Sequence, residues 1–188
     1  ENFEYWSRNW NSQKKINGFE IPIYEDDERR FNQYKEKFRN TDILDFGCGA
    51  GGFVKQMKGI AKSVIAIELQ PGPRELINKN GIRCLDNLDE VNDESIDYIT
   101  LFHVFEHIDS PLKLLENLRS KLKQGGQIII EVPHARDALI SLYNSEEFKK
   151  FTFWSEHLLL HTRESLNIFL KSSNFEQIVI NNFQRYTL

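Results

Sequence analysis

A glycine-dense turn, two acids that flank it and five histidines gathered between residues 103 and 161 are the parts of this chain whose spacing suits chemistry. In Ile43-Leu-Asp-Phe-Gly-Cys-Gly-Ala-Gly-Gly-Phe53 an apolar run enters a turn where Gly47, Gly49 and Gly52 satisfy G-x-G-x-x-G. Missing Cβ atoms there permit positive φ and let a ligand approach the backbone, while a helix that follows offers unpaired N–H groups. A second apolar run, Ser63–Ile67, ends in Glu68, about twenty residues after the glycines, where doubly wound folds place an acid that binds both hydroxyls of a ribose. Asp45 closes the first apolar run two residues before Gly47. A carboxylate at that point repels a pyrophosphate and suits a ligand with a cationic end. The expected ligand therefore carries a ribose and a positive charge.

The histidines, His103, His107, His134, His157 and His161, follow the expected fourth and fifth strands, and ligands of open α/β sheets bind beyond the carboxyl ends of strands. His107, next to Glu106, is the candidate general base, with His134 and His157 as further candidates; the competing reading of His107 is a residue that fixes the next helix. The spacings His103-x-x-x-His107 and His157-x-x-x-His161 could place two imidazoles on one helical face. No H-E-x-x-H occurs and His103 is expected at a strand end, so no metal site is expected. The connection from His134 to about residue 161 is long, and its Tyr143, Phe148, Phe151, Phe153 and Trp154 argue against disorder. It reads as a lid on the acceptor side that meets an aromatic N-terminal cap, with Trp6, Arg136, Trp154 and His157 as candidate substrate contacts. A satellite core or a dimer surface is the equally open alternative.

These residues need elements to position them. Residues 1–40 read as an N-terminal aromatic cap and a leading helix, Arg29 to Phe38, whose Phe31, Tyr34 and Phe38 fall at helical spacing. Residues 41–188 then alternate: strand 42–47, helix 51–59, strand 63–67, helix 72–80, strand 82–85 and strand 96–102. A leucine-striped helix at 111–124, ended by Gly125-Gly126, precedes a strand at 127–133; Thr162 caps a helix to about Ser173, and 175–180 is expected as a sixth strand. Alternation of this kind implies one globular α/β domain with a mostly parallel sheet and helices on both faces.

Asp45-Phe-Gly-Cys-Gly-Ala-Gly51, Glu68, Phe102-His-Val-Phe-Glu-His-Ile108, Ser110-Pro111 and Leu122-Lys-Gln-Gly-Gly126, in this order, resemble the class I S-adenosylmethionine (SAM) dependent methyltransferases. The resemblance covers about residues 41 to 180 and is nearest to the branch that methylates bacterial polysaccharides and small molecules. It implies a Rossmann-like three-layer α/β/α sandwich with SAM as cofactor. It also implies that Asp45, Gly47, Cys48, Gly49 and Gly51 surround the methionine part, Glu68 takes the ribose hydroxyls and Leu69 lies beneath the adenine. Asn87 and Leu88 fall at the adenine edge, and Phe102 and His103 line the cofactor pocket. Methyl transfer from a sulfonium chiefly needs donor and acceptor held in line, with a base for a hydroxyl acceptor. The expected function is transfer to a small or sugar-like acceptor, at oxygen, in surface-polysaccharide or related metabolism. An NAD-dependent oxidoreductase and a non-catalytic SAM-binding partner subunit stand as alternatives. The superfamily's closing antiparallel strand is expected to be missing from these residues.

At 188 residues, 40% hydrophobic and 28% charged, the chain has the size and composition of one domain. A net charge of -4 gives no basic footprint, so nucleic acid is not the expected partner; a small-molecule or sugar-nucleotide acceptor is. Only Cys48 and Cys84 occur, without C-x-x-C spacing, and no apolar stretch reaches the roughly 20 residues of a membrane span, so a cytoplasmic monomer or homodimer is expected. The sole methionine is Met57, so an initiator segment is expected upstream of Glu1.

Overall fold

The run Asp42–Phe46 carries branched or aromatic side chains on both faces, and Ile43 and Leu44 are fully buried, as a central strand of a parallel sheet requires. In the computed structural model, which describes residues 20–183, it forms β1 between β2 (Ser63–Ile67) and β4 (Ile96–Phe102). β3 (Arg83–Leu85) and β5 (Leu122–Glu131) complete a five-stranded, all-parallel sheet in the order β3-β2-β1-β4-β5. Strand order reverses between β1 and β4, and this switch point is where open sheets of this kind bind ligands. With α1 (Glu25–Tyr34), α2 (Gly52–Met57), α3 (Pro71–Lys79) and α4 (Pro111–Lys121), the architecture is the expected Rossmann-like three-layer α/β fold.

The amino-terminal ends of the strands are tied by ions. The Asp42 carboxylate accepts from Lys62 Nζ (2.9 Å), Lys123 Nζ (2.7 Å) and Ser63 Oγ (2.7 Å), and Lys123 also reaches Asp97 (2.8 Å). Desolvation alone would raise the Asp42 pKa, yet these partners hold it at about 2. The core beside β1 is aromatic: Phe38 is fully buried between Tyr34, Tyr98 and Phe53, and Phe53 meets Phe102 edge to face at 5.1 Å.

Three expectations need correction. The leading helix runs Glu25–Tyr34 instead of Arg29 to Phe38, so the acids at 25–28 form its first turn and Phe38 lies beyond its end. The fifth strand begins at Leu122 instead of 127, and α4 ends at Lys121. Leu122 pairs with Ile96 across a register shift, so Gly125-Gly126 serves an irregular strand entry instead of a helix exit. A Cβ on Gly126 would stand 3.1 Å from the Ile96 carbonyl oxygen, and Gly125 has φ +78°. The sixth strand at 175–180 takes no ladder partner among the described residues. Gln177 sits at φ +50°, which interrupts the extended run, and the Ile180 carbonyl accepts from Arg163 Nη1 (2.7 Å).

By its contacts the chain divides into two compact units. One holds the described residues up to Phe105 together with Asn117–Glu131, and the other holds Glu106–Glu116 with the described residues from Val132 onward. In the second, three helices start at side-chain caps: α5 (Ala138–Ser141) at Asp137, α6 (Glu146–Thr152) at Ser145 and α7 (Arg163–Ser172) at Thr162. Residues 134–161 thus hold two short capped helices, α5 and α6, joined by turns.

Candidate cofactor cradle and histidine cluster

The cradle begins where β1 ends. Gly47 adopts φ +76°, and a Cβ there would stand 2.5 Å from Val104 Cγ2, so the position accepts no side chain without a shift. The N–H groups of Gly47 and Cys48 both donate to the Ile67 carbonyl (2.9 and 3.0 Å), which stitches the turn to the end of β2. Beside Gly49 a Cβ would meet nothing within 4 Å, so this side of the turn is open to a ligand.

Glu68, 7% exposed, accepts from the Gly49 N–H (2.9 Å) and the Gln70 N–H (2.8 Å) through its two carboxylate oxygens. Burial pushes its pKa up, and those donors oppose the rise. Sequence reasoning assigned it to a ribose; the structure adds that it sets the shape of the glycine turn. An ionised carboxylate has about four lone-pair sites, so both duties are compatible. Asp45 is 3% exposed and accepts from Thr100 Oγ1 (2.6 Å). Burial raises its pKa to about 7, with Thr100 and Arg30 pulling against the rise.

The helix after the turn is closed to a phosphate. A Cβ on Gly52 would overlap the Asp27 carboxylate, which accepts from the Tyr24 N–H (2.9 Å) and from the Phe53 N–H at the start of α2. Dinucleotide-binding folds use this helix N-terminus to hold a pyrophosphate, and here a carboxylate stands in its place. An open Gly49, a buried carboxylate at the β1 end and an acid-capped α2 fit SAM, with its cationic methionine end, and not NAD.

The other candidates fall as follows. Leu69 is 70% exposed at the end of β2. Asn87 is exposed and Leu88 half-buried, with Asn87 Oδ1 accepting from the Asp89 N–H (2.8 Å). Gly51 has φ +85°, with Ile77 at its Cα. The Cys48 thiol is pushed up by its hydrogen bond with Cys84 and by burial, so it is a thiol and not a thiolate. The Phe102 ring packs into the core under the Arg30 guanidinium, 4.5 Å from its centroid. His103 holds φ +55°, an uncommon conformation for a histidine, while its N–H donates to the Glu131 carbonyl (2.8 Å) and its Nε2 lies 3.2 Å from Glu131 Oε1. Arg29 and Arg30 reach the same oxygen at 2.7 Å. Burial works to raise the Glu131 pKa, yet His103, Arg30 and Arg29 hold it well below the usual carboxylate range. Sequence reasoning missed this knot, because its two arginines lie about a hundred residues from the carboxylate.

The second unit gathers a different set. Phe105–His107 forms a single 3₁₀ turn. His107 Nδ1 lies 2.7 Å from the Glu156 carbonyl, and His157 Nδ1 lies 2.7 Å from the Thr152 carbonyl. A carbonyl only accepts, so each Nδ1 carries a hydrogen and the neutral ring has its lone pair on Nε2. The two rings stand 4.9 Å apart between centroids, Trp154 meets His157 edge-on at 5.8 Å, and Glu106 is fully buried. His134 instead bridges to His161 and its Nδ1 accepts from the Arg136 N–H (3.1 Å); the Arg136 side chain is exposed. Neither His-x-x-x-His pair lies on a helix. Trp6 falls outside the described residues.

Residues 24–179 match the family described as a methyltransferase domain. The chain is 27% identical over 138 residues to an uncharacterized protein of Methanocaldococcus jannaschii, covering 72% of this chain and 64% of that protein. It is 28% identical over 109 residues to the mitochondrial ubiquinone biosynthesis O-methyltransferase of Schizosaccharomyces pombe, covering 50% of this chain and 38% of that one. A tRNA U34 carboxymethyltransferase of Shewanella putrefaciens is 30% identical over 118 residues, 54% of this chain and 34% of that protein. The chain thus spans less than two thirds of the length of these relatives. Among solved structures, a SAM-dependent methyltransferase of Archaeoglobus fulgidus has the same fold, with a TM-score of 0.63 at 23% identity over 80% of this chain and 68% of that one. Family and fold indicate S-adenosylmethionine as the cofactor, in agreement with the cradle. From Tyr24, just before α1, to the segment beyond α7, this chain belongs to the methyltransferase-domain family.

Proposed function

We propose that this chain transfers a methyl group from SAM to a hydroxyl oxygen of a small or sugar-like acceptor. The observation that carries the cofactor half is the buried Asp45 carboxylate at the β1 and β4 switch point beside the open Gly49. SAM, when bound, supplies an electrophilic methyl group on a neutral leaving group. In this reading Asp45 accepts from the cationic methionine end, Glu68 accepts from the ribose, and Leu69 covers the adenine.

The acceptor half rests on the second unit. His107, with its hydrogen fixed on Nδ1 by the Glu156 carbonyl, presents Nε2 as the site for an acceptor hydroxyl proton, and His157 is its neighbour in the same tautomer. Trp154 and Arg136 are the acceptor contacts proposed beside them. The curated O-methyltransferase among the relatives supports an oxygen acceptor, and the net charge of -4 supports a small molecule over RNA. The surface-polysaccharide setting rests on the sequence resemblance alone, and the cytoplasmic setting on two cysteines that form no disulfide.

The test is calorimetric titration with S-adenosylhomocysteine against NAD, followed by labelled methyl transfer to sugar nucleotides, simple diols and bulk tRNA. Micromolar binding of the former and label in the hydroxyl compounds is the expected result. Binding of NAD instead sinks the cofactor reading, and label in tRNA alone sinks the acceptor reading.

A further inference from the structure

Glu106, His107 and His157 offer one carboxylate oxygen and two ring nitrogens that all lie within 4.8 Å of one another. His107 Nε2 is 4.0 Å from Glu106 Oε1. We propose that these three residues bind a divalent transition-metal ion of the zinc class, leaving one coordination position for an oxygen ligand.

Three observations carry this. First, both imidazoles are preset. Each gives its Nδ1 hydrogen to a backbone carbonyl, Glu156 for His107 and Thr152 for His157, which puts the ligating lone pair on Nε2. Ligating histidines are oriented in this way, with the second ring nitrogen donating to a fixed acceptor. Second, the carboxylate is buried in the protein, so its field on a cation is not screened by solvent. Third, the donor set is selective. Two imidazoles and one carboxylate suit zinc and its neighbours, whereas calcium and magnesium take oxygen ligands, and the same donors with one open position occur in catalytic zinc sites.

The distances allow closure. Ligands at about 2.0 to 2.2 Å from a tetrahedral ion stand roughly 3.4 Å apart, so the observed spread closes by an ångström or so of side-chain rotation. Sequence spacing pointed away from a metal because it was judged on His-x-x-x-His pairs. The set that forms joins two consecutive residues of a 3₁₀ turn to a histidine fifty positions later.

The site also refines the role of His107. Resting on the hydroxyl-acceptor reading above, the ion would take the acceptor oxygen at its open position and lower the hydroxyl pKa so that its proton leaves to solvent water, with His107 as a ligand and not a free base. Ion binding itself is independent of that reading.

The experiment is equilibrium dialysis of the full chain, stripped with chelator, against zinc, with metal counted per chain and cobalt(II) substituted for its visible spectrum. S-adenosylhomocysteine titration accompanies each sample. One zinc per chain at micromolar concentration is expected, with a tetrahedral-type cobalt spectrum. His157→Ala and Glu106→Gln are each expected to weaken zinc binding at least tenfold, His134→Ala to leave it unchanged, and all three to retain S-adenosylhomocysteine. Sub-stoichiometric zinc in the parent chain overturns the proposal. So does equal zinc affinity in folded His157→Ala, or equal loss in His134→Ala. If Glu106→Gln does not fold, His157→Ala and the cobalt spectrum of the parent chain decide. Parent protein that binds zinc but not S-adenosylhomocysteine would sink the methyltransferase reading and leave the metal site standing.

Discussion

Asp42 and Asp45 sit on the same strand, three residues apart, and their environments drive them in opposite directions. Asp42 meets two ammonium groups and a hydroxyl at the amino end of β1, and its pKa falls to about 2. Asp45, at the carboxyl end, has the Thr100 hydroxyl as its hydrogen-bond donor, and burial lifts its pKa to about 7. One end of the strand is arranged for stability and the other holds a carboxylate that the fold alone disfavours. A buried charge tolerated in this way is expected where a cationic ligand completes the site.

Asp45→Asn tests the contrast most severely. Loss of at least a hundredfold in S-adenosylhomocysteine affinity is expected, together with a rise in the melting temperature of the ligand-free protein. The sign follows from linkage: with a folded pKa near 7 against 3.8 unfolded, Asp45 binds a proton in the folded state across that interval. Its contribution to stability therefore declines as pH rises from about 4 to 7. The variant's thermal advantage should be small at pH 4 and reach several degrees at pH 8, where each kcal/mol is worth roughly 2–4 °C for a chain of this size. Parental S-adenosylhomocysteine affinity should rise with pH through about 7. An unchanged melting temperature at pH 8 would remove the contrast.

Glu68→Gln should be next in size. An amide has one acceptor oxygen, so it cannot serve both the Gly49 and Gln70 N–H groups as the carboxylate does. Roughly ten- to hundredfold weaker binding is expected, or about 1.4–2.8 kcal/mol. Faster amide hydrogen exchange at Gly49, with the cofactor absent, would separate loss of the turn from loss of the ribose contact.

Asp42→Asn should leave binding untouched and cost about 1 kcal/mol of stability at pH 7, because Lys62 is largely exposed and its pairing is screened. Asp42 has a depressed pKa, so its contribution is complete above pH 3.8 and fades as pH falls toward 2. Urea titrations at pH 7 and pH 2 should therefore show the difference shrinking. The smallest effect is expected at His103→Asn, which keeps a residue type tolerant of φ near +55° while removing the imidazole from Glu131. Stability should change by under about 1 kcal/mol, since Arg29 and Arg30 still hold the carboxylate.

The strands β2 and β4 were legible in the sequence to the residue, because both are rich in branched or aromatic side chains and are bounded by polar residues, Lys62 and Glu68 for β2 and Ser95 and His103 for β4. The glycine turn and Glu68 were legible for the same local reason. Contacts made across the chain were not. Nothing near Arg29 and Arg30 announces Glu131, and nothing near Gly52 announces Asp27. The 175–180 run had the apolar content of a strand, but Gln177 at positive φ lies beyond what composition can reveal. The histidines were legible as a group and not as a geometry, since His107 and His157 converge while His134 pairs with His161.

The Asp27 carboxylate at the start of α2 places part of the ligand's identity upstream of the glycine turn, on a helix that contributes nothing to the motif itself. Two chains with the same turn and the same acid after β2 could thus prefer opposite cofactors, according to the side chain that a preceding helix lends to that position. Discrimination between a sulfonium nucleoside and a dinucleotide becomes a property that can be inherited, or exchanged, separately from the turn that holds either one.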